Sequence, residues 1–87
     1  MTTTTLEQMA VLELQAQATK IIKATQLAID KGGILLAYSL NDVVLVDLKR
    51  GVMPYVTWLY DTYSNSFISG TYSTTLDNAK LSFKERT

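Results

Sequence analysis

The sequence predicts an α+β domain: a long N-terminal helix, an antiparallel meander of three or four strands, and a short C-terminal helix, with both helices on one face of the sheet. Three observations carry this. Residues 5 to 31 hold helix formers such as Leu, Ala, Gln, Glu and Lys, with no glycine or proline. After Gly32-Gly33 the apolar residues fall into short, partly β-branched runs separated by turn residues. From Thr74 onward helical spacing returns.

The first helix has an entry signal and a stop. Thr4-Thr5-Leu6-Glu7 fits a capping box, and Thr5 to Gln8 fits equally well. Gly32-Gly33 can take the left-handed conformation that ends a helix. The apolar stripe is broad. Ala10, Leu14, Ala18, Ile21, Ile22, Ala28 and Ile29 cluster on one side, while Leu6, Met9, Ala24 and Leu27 widen it toward a second. At 1.5 Å per residue this helix is roughly 38–40 Å long. A compact domain of this size has a radius of gyration of only about 12 Å. Its own chain therefore does not cover the helix end to end: either the first turns project or a second subunit covers them.

The strands follow in order. Residues 34 to 40 and 43 to 48 flank Asn41-Asp42, which is turn chemistry. Lys49-Arg50-Gly51 marks the next turn, and Pro54 belongs at a strand start, a bulge or an edge. Tyr55 to Tyr60 and Phe67 to Ser73 pair across the polar loop 61 to 66. Alternation places Val56, Trp58 and Tyr60 on one face, with Ile68, Gly70 and Tyr72 opposite them, and Gly70 leaves room for the indole. That is the expected helix-covered face. Tyr55, Thr57, Leu59, Phe67, Ser69 and Thr71 then form a second, open face whose neutral, partly aromatic composition suits a protein interface. Thr74 or Thr75 caps the last helix, and Leu76, Ala79, Lys80 and Phe83 repeat at helical spacing.

A resemblance attaches to residues 55 to 86. Val56-Thr57-Trp58, Gly70 and Tyr72, and Ala79 and Phe83 of the last helix resemble small uncharacterised bacterial and phage proteins with a V-T-W strand, a G-x-Y strand and an Ala/Phe helix near the C-terminus. The resemblance implies no activity. This chain departs from it at Ser69, where such proteins often carry a bulky aromatic.

Composition removes several kinds of chemistry. The chain has 87 residues, enough for a single domain spanning 1–87, with residues 1–4 expected to be disordered. It contains no Cys and no His, so disulfides, zinc–thiolate sites, a Cys nucleophile and imidazole catalysis are excluded. No catalytic or metal-binding residue and no cofactor is expected, and the chain does not read as an enzyme. Eight basic residues balance eight acidic ones in small scattered groups, so nucleic acid is not an expected partner. No membrane span and no signal peptide are visible, and the expected location is the cytoplasm.

Three functional expectations remain. The first is a non-catalytic protein–protein interaction or assembly module that self-associates as a homodimer or binds another protein. Leu6, Met9, Tyr55, Thr57, Leu59 and Phe67 are its interface candidates. The alternative is a small ligand or nucleotide at a subunit junction, contacted by Lys49, Arg50, Tyr60 and Tyr63. The third, an accessory protein of a phage or mobile element that inhibits host machinery, rests on size and on the resemblance.

Overall fold

The computed structural model describes the backbone of residues 6–87 and the side chains from Gln15 onward. The proposed Thr4 or Thr5 cap, the disorder expected of residues 1–4, and the side chains of Leu6 and Met9 lie outside the described residues. The order is α1 (Leu6–Asp30), β1 (Ile34–Tyr38), β2 (Val43–Asp47), β3 (Tyr55–Asp61), β4 (Ser66–Ser73) and α2 (Leu76–Arg86). The four strands form one antiparallel meander in the spatial order β1-β2-β3-β4. This is the predicted α+β class.

Local chemistry sets the joints. Gly32, at φ +83°, ends α1. Its N–H bonds the Ile29 carbonyl at 2.8 Å, and the Gly33 N–H reaches back to Ala28 at 2.9 Å. These are the two bonds of a Schellman stop. Asp42, at φ +62°, turns β1 into β2, and its carbonyl accepts the Tyr60 N–H at 2.7 Å. Thr75 caps α2, where its hydroxyl accepts the Asn78 N–H at 3.2 Å.

The core lies between α1 and one sheet face. Ala24 and Ala28 are fully buried there against Val44, Val46 and Val56, with Trp58 and Tyr60. Leu27 and Leu35 pack at its edge. The broad stripe of α1 thus divides into two sides. Its small residues face the sheet and let the helix come close, whereas Ile22 and Ile29 point away and stay 68% and 54% exposed.

The two helices do not share a face, contrary to the sequence-based expectation. Side chains alternate along β3, so Thr57 points away from the face of Val56 and Trp58. Arg86 of α2 donates from Nη1 to the Thr57 carbonyl at 2.9 Å and to its hydroxyl at 3.3 Å. Val43 and Leu45, on Thr57's side by the strand register, are 3% exposed, and Ala79 of α2 is fully buried. The short helix therefore covers the face expected to be open, and β2 is buried on both sides.

A second correction concerns β4. The register slips between Thr57 and Leu59, so Ser69 and Gly70 together face Trp58. Ser69 takes φ +55° to make this bulge. Beyond it the alternation inverts. Phe67 stacks on Trp58 at 5.0 Å and 15°, on the α1 face, while Ile68 pairs with Leu59 on the α2 face. The room at Gly70 was legible from sequence: a Cβ there would lie 2.6 Å from the indole Nε1.

Candidate functional site

The side chains expected to hold a ligand are separated by the topology. Lys49 and Arg50 lie in the β2–β3 loop, and Tyr60 and Tyr63 lie at the β3–β4 end of the sheet. One strand of seven residues, about 23 Å, stands between these ends. Each group also has local work. Arg50 approaches Gly32 at the C-terminus of α1, where its Nη1 would touch a Cβ at 2.6 Å. A cation there suits the negative end of the helix dipole. Tyr60 is 3% exposed and donates its hydroxyl to Asn65 Oδ1 at 2.5 Å. Tyr63 stands fully in solvent.

The sheet-face interface candidates also move. Thr57 is fully buried under Arg86 and presents nothing to a partner. Tyr55 and Leu59 lie half-buried on the same side, which α2 occupies. Phe67 belongs to the opposite face, between Trp58 and Tyr60.

Polar groups gather at one further place, the β1–β2 turn. Tyr38 donates its hydroxyl to Asp42 Oδ1 at 2.6 Å, and Lys20 Nζ reaches the same oxygen at 3.4 Å. Burial, reinforced by the Asp42 hydrogen bond and charge, pushes the Tyr38 phenol well above its ordinary value. Burial, with Asp42 and Asp61 nearby, raises Tyr60 as well. At the next turn the Ser64 hydroxyl and the Tyr63 N–H donate to Asp61 and hold its carboxyl below the usual range. Each of these carboxylates is bonded to its own hairpin, and the Asp42 cluster ties α1 to the turn. Among the described residues, no group of three or more His, Cys, Asp or Glu could hold a metal ion. None of their buried side-chain N or O atoms lacks a partner. No helix of the described residues is long and apolar enough to cross a membrane.

What remains is an apolar surface that the sequence reading did not single out. Ile22 and Ile29 are seven residues apart, hence nearly in line along α1, and are exposed where Ala24 and Ala28 are buried. Ala18, one turn before Ile22, is exposed, and Thr25, between the two isoleucines in sequence, is half-buried. The Thr25 hydroxyl donates to the Ile21 carbonyl at 2.6 Å, which satisfies its polar end within the helix. Beside this stripe runs a groove of about 300 Å³, lined by Ile21, Thr25, Leu35, Leu36, Ala37 and Tyr38. Ile21 and Leu36 are 37% and 44% exposed. β1 forms one wall of the groove and is an edge strand, and the register slip around Leu36 interrupts its pairing with β2. The signal was present in the sequence. Ala18, Ile22, Thr25 and Ile29 repeat at spacings of four, three and four, as a helix-pairing seam does.

Comparison with protein-family models, curated proteins and solved structures gives no match. None of these comparisons bears on the pattern of residues 55 to 86.

Proposed function

We propose that this chain is a non-catalytic protein–protein interaction module that docks through the outward side of α1. One observation carries the reading: Ala18, Ile22 and Ile29 are exposed along α1 away from Ala24 and Ala28, and half-buried Thr25 joins them to the groove against β1. An amphipathic helix normally turns large aliphatic residues inward and polar ones outward. Here Ala24 and Ala28 occupy the inner side and the two isoleucines the outer. The groove beside Leu36 extends the strip toward β1. Scattered exposed aliphatics are ordinary, but a contiguous run on one element marks an interaction surface.

The test is site-specific photo-cross-linking in the native host. A photoreactive phenylalanine analogue replaces Ile22 in one variant and the fully exposed Tyr63 in another. A docking module gives a discrete protein adduct from position 22 and none from position 63. A folded variant that yields no protein adduct at position 22 would overturn the reading. The adduct's mass separates a second copy of the chain from a different protein.

A further inference from the structure

Resting on that reading, we propose that the occupant of the α1 strip is a second copy of this chain, packed antiparallel about a two-fold axis that passes between the levels of Ile22 and Thr25. The spacing argues for a helix partner. Gln15, Ala18, Ile22, Thr25 and Ile29 occupy alternating a and d positions of a heptad, with β-branched isoleucine at two of the three a positions. The large and small residues argue for the same helix reversed. In an antiparallel pair each a residue meets a d residue of the partner. A two-fold axis at that level sets Ile22 against the partner's Thr25, and Ile29 against the partner's Ala18. Both contacts then occur twice, as an isologous interface requires. Each isoleucine fills the space left by a small side chain, and no two isoleucines collide.

The flank turned from β1 carries no charge. Thr19 and Gln26 border the seam on one side and are uncharged. Thr19 donates its hydroxyl to the Gln15 carbonyl at 3.0 Å, so it brings no unsatisfied group. Ile21 borders the other side and leads into the groove beside β1.

Sheet edges are the poorer route to self-pairing. Both β1 and β4 are interrupted by a register slip, a device that blunts edge-to-edge association.

The experiment uses the full chain, whose lack of cysteine gives a clean background for disulfide trapping. Light scattering over a dilution series reads the mass. Two double variants then read the register under mild oxidation. Ala18→Cys with Ile29→Cys places thiols across the proposed contact. Within one chain these positions are about 16 Å apart along the helix, far beyond disulfide reach. Ile22→Cys with Ile29→Cys probes a pairing displaced by about one helical turn.

The expected result is twice the chain mass and near-complete, reducible dimer from the Ala18/Ile29 pair, at least tenfold more than from the Ile22/Ile29 pair. Ile22→Glu should return the protein to monomer with an unchanged circular dichroism spectrum. A monomer at every concentration would overturn the second copy as occupant. The docking reading would then still be judged separately, by the adduct at position 22. A dimer trapped only by the Ile22/Ile29 pair, or one indifferent to Ile22→Glu, would overturn the proposed contact while leaving self-association intact.

Discussion

The two faces of the sheet are held by different means. Under α1 the contacts are aliphatic and aromatic: Ala24 and Ala28 on Val44 and Val46, then Trp58 stacked with Phe67 and met edge-on by Tyr72. Under α2 the centre is a buried threonine, satisfied by an arginine that reaches from the last residue of the helix. The first face gains from area and shape, is non-directional, and loses in proportion to the volume removed. The second depends on two donated hydrogen bonds, and losing their donor leaves acceptors stranded. The Arg86 bonds tie the short helix to β3, beside the buried Ala79, Val43 and Leu45.

The largest effect belongs to the first face. Trp58→Ala should cost about 3–5 kcal/mol, the range for a large aromatic removed from a core. Domains of this kind often have total stabilities near the low end of about 5–15 kcal/mol. Urea unfolding followed by circular dichroism should therefore show a strongly weakened or largely unfolded protein. A loss below about 1 kcal/mol would show that Phe67 and Tyr72 collapse into the space, and that the face is not organised around the indole.

Arg86→Met sharpens the contrast. It keeps an apolar stem and removes the nitrogen that donates both bonds to Thr57. The expected loss is about 1–3 kcal/mol, the cost of leaving buried acceptors unpaired. Thr57→Val removes only the hydroxyl acceptor and leaves the carbonyl bond, so its loss should be smaller. The double variant should lose less than the sum of the two, and that coupling is the measure of the clamp. Additive losses would mean that α2 is held by Ala79 and its apolar neighbours alone.

How much of this was legible follows the same division. The signals of α1, the Gly32 stop, the Asn41-Asp42 turn and the Thr75 cap are local, and each lies in a few adjacent residues. The contact of Gly70 with Trp58 was legible because a strand glycine facing an indole has few other uses. The covering of the second face was not. It depends on where α2 docks after the chain leaves β4, and no local rule fixes that. One sign was nevertheless available: Val43-Val44-Leu45-Val46 is an unbroken apolar run, and a strand of that kind is buried on both sides. The outward seam of α1 was hidden for a related reason. The stripe was broad enough to offer two sides to the sheet, and only tertiary packing chose the alanines.

The turn that joins α1 to the sheet should register in alkali. The fold holds Tyr38 neutral, with its phenol raised above the ordinary value of about 10. A group raised in the folded state contributes stability that is complete below its unfolded pKa and is lost as pH climbs toward the folded one. Stability should thus fall as pH rises above about 10. Tyr38→Phe should lower stability at neutral pH by about 1 kcal/mol, for the bond to Asp42. It should also flatten the alkaline fall, because one raised phenol is gone and Tyr60 remains. Parallel alkaline slopes for the two proteins would show that Tyr38 carries none of that linkage.

The smallest effect tests the bulge that sends Phe67 to the α1 face. Ser69 holds φ +55° without the freedom of glycine, and a side chain in that region costs about 1–2 kcal/mol. Ser69→Gly removes this strain but frees the unfolded chain, which offsets about 0.5–1 kcal/mol. The expected net result is a gain of roughly 0.5–1 kcal/mol, read as a higher urea midpoint at unchanged slope. Asn65, at φ +52°, is the control of opposite sign. Asparagine tolerates that conformation, and its side chain accepts the Tyr60 hydroxyl, so Asn65→Gly should destabilise. If both glycines stabilised equally, the Tyr60–Asn65 bond would count for nothing. If Ser69→Gly destabilised, the serine would be holding the bulge by more than its backbone, and the inversion that brings Phe67 onto Trp58 would need another cause.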